Sequence, residues 1–558
     1  MKDRCVKYLK QPLICSFVLN LVITLLLFLV YDFHWETNDD VYMSSIVYGT
    51  YGQYDEHLIF INIIIGRVIK YFLTICPQIP WYGVWQTIFV FISFVIIVYR
   101  ILENRLNRHI VIISAILIVT MGIQFYVQMQ FTKTAGIASI AGILLIFKFC
   151  AQRGNKCWLS FIIGCLMCVI GMMYRTQAFY LALGVLFALG VYEMVSLKNE
   201  GWIRRALRYG MCALLLMVIA QGLSNYNAKI YNDDSSYVKY MQFNVQRASL
   251  MDYYWPDYAS NSDEYDRLGI GKDDIEFYNS WNIADKELVN TSNLQQINSM
   301  KKNDVDRSGS TDGFIVDFVK TYFNYPYFII ILVLICFVIV AKQKKQMIFM
   351  SILSLIIILL QFYLYYNGRA FISRIDDVFA MGYIVALLIV VGDTYKMPED
   401  KMYNMGLIIV ALFAVNLGVQ GYTDGIDKAK DDEKAQWVEY LSQNNDKLFL
   451  MENWTNVYLW DSIYSIWSVP DVGLGENVYT LGGWQYQSPN TNKILENYNI
   501  RNPFEDMVGN NNVLLVSRVD LYQMRKYMER HYYQNLQFEC VEQIGNSYIY
   551  IVTEVKND

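Results

Sequence analysis

The sequence predicts an all-α polytopic membrane protein with a small extracytoplasmic α/β domain at its C-terminal end. Three observations predict it. The 558 residues are 55% hydrophobic and only 17% charged, where a soluble protein is nearer a quarter charged. Mean hydropathy is +0.24 although two long stretches, 225–324 and 421–558, are plainly polar. The remaining apolar residues gather in runs of about 20, the length that crosses a bilayer core as a helix. Disorder, a disulfide-rich secreted scaffold and a simple soluble enzyme are excluded. A net charge of −5 gives no reason to expect a nucleic-acid partner. Cys165 and Cys168 are spaced CLMC, but inside an apolar run without His or carboxylate neighbours, so they read as packing residues.

Taken in order, the expected spans lie near 12–31, 80–99, 109–127, 134–150, 157–173, 178–196, 207–224, 325–341, 347–366, 376–392 and 404–420, about eleven in all. The first is too long for a removed signal peptide and lacks a small-residue cleavage site. Residues 57–76 are apolar enough to cross but carry Arg67 and Lys70. If they do not cross, the basic loops (Lys2 to Lys10, Arg100 to Arg108, Lys148 to Lys156, Lys198 to Arg208, Lys342 to Lys345) all fall on one side. The positive-inside rule then makes that side cytoplasmic, along with the N-terminus, and leaves 57–76 as an amphipathic segment in the outer interface. Residues 1–420 thus form a membrane domain with outer loops 32–79 and 225–324, and 421–558 a separate outer domain. In that domain KLFLMEN and NNVLLVSR read as strands and DLYQMRKYMERHYY as a helix. FECVEQIGNSYIYIV reads as a hairpin turning at Gly545-Asn546.

The chemistry-bearing residues lie outside. No basic residue occurs between Lys10 and Arg67, and Asp39 and Asp40 stand side by side just beyond the first span. They are either an ordinary solvated acidic pair or a general base above a lipid-facing cavity. Four cations, Lys133, Arg175, Arg369 and Arg374, sit at the outer ends of expected helices, where the positive-inside rule makes cations unusual. Each alone could be snorkelling at the interface; together, opposite an acidic loop, they suit the phosphate of a lipid carrier. Asp376 and Asp377 follow Arg374 and offer a competing explanation, simple neutralisation. His57 flanks the acidic segment, and outer tryptophans such as Trp35 could stack on sugar rings. No metal-ligand spacing links the four histidines, and no Walker A, GxGxxG, GxSxG or HExxH motif is present.

This order of parts resembles the GT-C superfamily of integral-membrane glycosyltransferases. The matching parts are one span, TNDD at 37–40, interfacial segments near 41–52 and 57–76, further spans and an outer C-terminal domain. The resemblance implies a bacterial plasma-membrane enzyme of inverting type. It would move a sugar from a polyprenyl-phosphate carrier to a glycan, lipid or protein acceptor on the outer face. It implies Asp40, or Asp39 beside it, as the base, and Lys133, Arg175, Arg369 and Arg374 as lipid-phosphate ligands. Trp35 and His57 become acceptor or sugar contacts, and a divalent cation, magnesium or manganese, is left open. Within enzymes, a polysaccharide polymerase or ligase is the neighbouring reading, but the 225–324 loop has no histidine for that role. A flippase or transporter of lipid-linked sugars, or a non-catalytic surface protein, are the readings from other classes.

Overall fold

A computed structural model describes residues 11–103, 106, 108–151, 158–196, 202–303, 311–325, 327–340, 344–369, 371–392, 430–463 and 465–555. The chain is mostly helical. The first half runs α1 (Pro12–Val30), β1 (His34–Trp35), α2 (Asn38–Tyr48), α3 (Ile63–Ile75), α4 (Trp81–Leu102), α5 (Arg108–Gly122), β2 (Gln128–Met129), α6 (Phe131–Ala151), α7 (Trp158–Ser196) and α8 (Trp202–Asn232). Then follow α9 (Ser235–Met251), α10 (Thr311–Asn324), α11 (Phe328–Val340), α12 (Lys344–Tyr366) and α13 (Ser373–Gly392).

Among the described residues, seven helices are long and apolar enough to cross a membrane, or eight if α10 and α11, bent by 100°, count as one span. Leu29, Leu159, Met211 and Tyr363 on four of them are more than half exposed. So much open apolar surface is costly in water and suits lipid. The expectation of eleven spans is therefore corrected. Phe328–Val340, within the expected span 325–341, is the second helix of the bent pair. The helix over 376–392 opens with Arg374, Asp376 and Asp377. Segment 404–420 lies outside the described residues. The expected spans 157–173 and 178–196 are kept as the two legs of α7, which meet at the non-helical residue Arg175 (φ −162°, ψ 107°).

That residue reverses the chain. Along α6, Ser139 meets Gly171 and Leu145 meets Gly164, so the first leg of α7 runs antiparallel. Ile140 and Val185 both meet Gly382, and Phe147 meets Gly190, so the second leg runs parallel. Glycines at 142, 164 and 171 permit this closeness: a Cβ on Gly171 would stand 2.1 Å from Ser139 Oγ. Arg175 thus sits at the tip of a helical hairpin whose legs embrace the buried α6.

Segment 57–76 is settled by length. Its helix, α3, has 13 residues and rises about 20 Å, short of the ~30 Å hydrocarbon core. It buries Ile63, Ile65, Gly66, Ile69 and Leu73, largely one face.

The C-terminal region holds a five-stranded sheet of β3 (Leu448–Met451), β4 (Val478–Thr480), β5 (Val513–Ser517), β6 (Leu536–Ile544) and β7 (Ser547–Glu554). Their order is β4-β3-β5-β7-β6. The first three are parallel, and β6–β7 is the hairpin expected at Gly545-Asn546. A second core joins this sheet to the 225–324 loop: Phe243, Tyr278 and Ile297 pack with Leu448, Tyr486 and Tyr527. Asp285 Oδ2 accepts hydrogen bonds from Tyr527 and Tyr532, both at 2.6 Å. Gly482 lies so close to the Trp281 carbonyl that a Cβ would stand 1.6 Å from it. The loop is therefore built into the C-terminal domain and carries it.

Candidate functional site

Asp39 and Asp40 occupy the first turn of α2, where the helix dipole favours carboxylates. Successive helical residues point about 100° apart, so neighbours in sequence meet different surroundings. Asp40 turns inward and is fully buried. Its Oδ1 accepts from Tyr82 Oη at 2.8 Å and Gln86 Nε2 at 3.1 Å, and its Oδ2 from the Phe131 N–H at 3.3 Å. Gln86 is in turn fixed by the Thr134 hydroxyl at 2.8 Å. Burial pushes the Asp40 carboxyl up to about 7, against the pull of these donors. The favoured base of the sequence reading is thus a buried clasp between α2, α4 and α6, with both oxygens engaged.

Asp39 faces the other way and is half-buried. Burial pushes its carboxyl up; Arg374 and Arg175 draw it back, and Asp252 opposes them. The Trp484 indole, from the C-terminal domain, also favours its ionised form, though the N–H does not complete a hydrogen bond. Arg175, at the tip of α7, interacts electrostatically with Arg374, Asp39, Arg369 and Asp252, and stacks over the Phe131 ring at 5.1 Å. Phe60 stacks on Phe131 at 6.2 Å and meets Trp484 at 4.8 Å, giving the site an aromatic wall.

Arg369 pairs with Asp252 at 3.0 Å and lies over the Tyr253 ring at 4.8 Å. Arg247, 2% exposed, approaches the same carboxylate at 3.6 Å and lies over Trp281 at 5.5 Å. Among the described residues, neither Arg175 nor Arg374 has a carboxylate within salt-bridge distance. Asp376 and Asp377 do not neutralise Arg374. Asp376 accepts from Tyr325 at 2.9 Å and from Gln361, and Asp377 pairs with Lys133 at 2.8 Å.

Three of the four expected cations, Arg175, Arg369 and Arg374, are therefore brought together around Asp39. Lys133 is not. It is fully buried, paired with Glu36 at 3.0 Å and Asp377 at 2.8 Å, and it donates to the carbonyls of Gln124 and Gln128. No face of it is left for a phosphate. Trp35 does not offer a stacking face either: it is 8% exposed and packs on Tyr82 beside the short β1–β2 pairing. His57 is stacked on Tyr237 at 4.1 Å and pairs with Asp55 at 2.6 Å. Burial alone would raise Asp55, but His57 and Tyr237 hold it at about 2. With Asn490 also on Asp55, at 3.2 Å, this cluster pins the first loop to α9 and the C-terminal domain.

The residues that sequence reasoning missed are Asp252, Arg247 and the aromatic wall. Their only signal was a polar, aromatic-rich loop whose long-range partners no local pattern reveals. A divalent cation fits this cluster poorly: two carboxylates, Asp39 and Asp252, face several guanidiniums. Among the described residues no three His, Cys, Asp or Glu side chains gather to hold a metal ion. Set against protein-family models, curated proteins and solved structures, the chain finds no significant match in any of the three.

Proposed function

We propose that the chain is an inverting membrane glycosyltransferase that uses a polyprenyl-phosphate sugar as donor, works at the outer face, and employs Asp39 as its base. One observation carries this reading. A half-buried carboxylate stands opposite two arginines, Arg175 and Arg374, that have no carboxylate within salt-bridge distance among the described residues. Acid and base within one cluster, with the cations not consumed by it, is what displacement at a sugar phosphate requires. Asp39 takes the proton of an acceptor hydroxyl. The freed oxygen attacks the anomeric carbon as the bond from that carbon to the phosphate oxygen breaks, and the centre inverts. The electron pair leaves on the polyprenyl phosphate, where Arg175, Arg374 and Arg369 meet the growing negative charge. Asp252 holds Arg369 and Arg247 in register.

The transporter reading needs charge midway along the spans, and the buried helix α6 carries none there. The buried charges of α6 stand at its two ends. Lys133 is near the first turn, and Lys148 near the last, paired with Glu103. The test is release of polyprenyl phosphate, coupled to sugar transfer, by the purified protein given polyprenyl-phosphate sugars and a membrane extract as acceptor source. Coupled release is expected. No release from any donor, with the protein folded, overturns the proposal.

A further inference from the structure

The C-terminal domain reaches the level of the bilayer at Ile466-Trp467. Helix α1 has 19 residues and rises about 28 Å, close to the ~30 Å of the hydrocarbon core, so its last turn marks a boundary of that core. Phe28 stands two residues from the end of α1, about 3 Å short of the boundary. Trp467 of the C-terminal domain meets the Phe28 ring edge-on at 5.8 Å and lies 6.0 Å from the Phe33 ring. The preceding residue gives the same depth independently. Gly83, in the first turn of α4, lies so close to Ile466 that a Cβ would stand 2.3 Å from the Ile466 carbonyl oxygen.

The segment is suited to that depth. Residues 465–470 carry no charged side chain, and Asp471 is the first to follow. The backbone is turned on itself: the Ser468 N–H donates to the Ser465 carbonyl at 3.1 Å, and the Trp467 N–H to Ser465 Oγ at 3.2 Å. Lipid would leave such groups unpaired, so they are met from within. Trp467, Val469 and Pro470 are half-buried, and each keeps a face open. Beside Trp467, the α1 residues Phe28, Leu29 and Val30 are more than half exposed, an apolar surface that suits acyl chains. The edge of such a surface is where indole rings gather, their apolar body on the chains and their polar edge among the head groups.

From this we infer that the C-terminal domain is itself lipid-binding: residues 465–470 seat in the leaflet on its side, with Trp467 as the anchor at the hydrocarbon boundary. The occupant is phospholipid, because the patch continues the lipid-facing surface of α1 and carries no charge that would select a head group. The seat lies between two attachments of the domain to α2 and the residues that follow it. Before it, Asn456 bonds the Tyr42 hydroxyl; after it, Gly473 and Gly475 donate to the carbonyls of Gly49 and Thr50, each at 2.9 Å. The bilayer is thus a further support for the domain beside Asp39. The inference needs the membrane but not the transferase reading.

The test uses the full chain in phosphatidylcholine nanodiscs doped with a phospholipid whose photoreactive diazirine lies either beside the acyl carbonyl or at the chain end. After illumination and digestion, the carbonyl-level probe is expected to label the peptide holding 465–470 together with the one holding the end of α1. The chain-end probe is expected to label the spans and spare 465–470. A second measurement reads the indole itself. Phospholipid brominated beside the acyl carbonyl quenches part of the wild-type tryptophan fluorescence. Trp467→Phe, which keeps an apolar ring against Phe28, is expected to lose part of that quenchable emission with the melting temperature unchanged. The inference is overturned if the carbonyl-level probe labels the end of α1 but not 465–470, if the chain-end probe labels 465–470 as strongly as the spans, or if bromine quenches wild type and Trp467→Phe by the same amount.

Discussion

Two charged clusters lie close together in this molecule and are built oppositely. Around Lys133 the cation is spent: Glu36, Asp377 and two carbonyls surround one buried ammonium. Around Asp39 the charges outnumber their pairings, with Arg175 and Arg374 near a carboxylate that neither bonds. The first arrangement holds helices together, because a buried ion survives only when fully compensated. The second leaves interaction energy for something that arrives later. Asp39 and Asp40 show the same contrast within a single peptide unit.

Substitutions separate the clusters, beginning with the largest effect. Lys133→Met strands two carboxylates in the interior and is expected to cost about 3–5 kcal/mol, the usual penalty for breaking a buried pair. A large fall in melting temperature, or loss of folded protein, checks this; a variant as stable as wild type would show that the cluster is not closed. Arg374→Gln is expected to do the reverse. Stability stays within about 0.5 kcal/mol, while turnover falls about 10²–10³-fold through lost stabilisation of the leaving phosphate.

Titration sharpens the contrast further. Because the Asp40 carboxyl is raised to about 7 in the fold, the folded state keeps a proton that the unfolded chain gives up near pH 4. Stability therefore falls as pH rises from about 4 to about 7 and levels off above that. Melting temperatures over this range should show a smaller fall for Asp40→Asn than for wild type. Asp39 is also raised, but it must be ionised to act, so the acid limb of the transfer rate should lie above the ordinary carboxylate range.

Much of the fold was legible in the sequence, and the reasons are local. Strands β3 and β5, the helix over 522–531 and the β6–β7 hairpin follow from alternation and from turn residues that need no distant partner. Strand β4 has three residues, Val478–Thr480, too few for any period to show. The reversal at Arg175 was legible as the break between the apolar runs 157–173 and 178–196; that a single non-helical residue makes it was not, because no Gly or Pro marks the spot. The union of the 225–324 loop with the C-terminal domain depends on contacts such as Tyr278 with Tyr527, 2.9 Å apart and far separated in sequence. At the site, the list of outward cations was readable, but not which were already paired. Lys133 and Arg374 look alike until their neighbours are known.

The central claim is that Asp39, not Asp40, takes the acceptor proton. The direct measurement is the rate of sugar transfer by Asp39→Asn and Asp40→Asn, each normalised to folded protein. The account predicts a loss of about 10²–10⁴-fold for Asp39→Asn, the contribution of a general base, and a far smaller loss for Asp40→Asn, whose effect falls mainly on stability. Transfer that survives in Asp39→Asn and vanishes in a folded Asp40→Asn would contradict it.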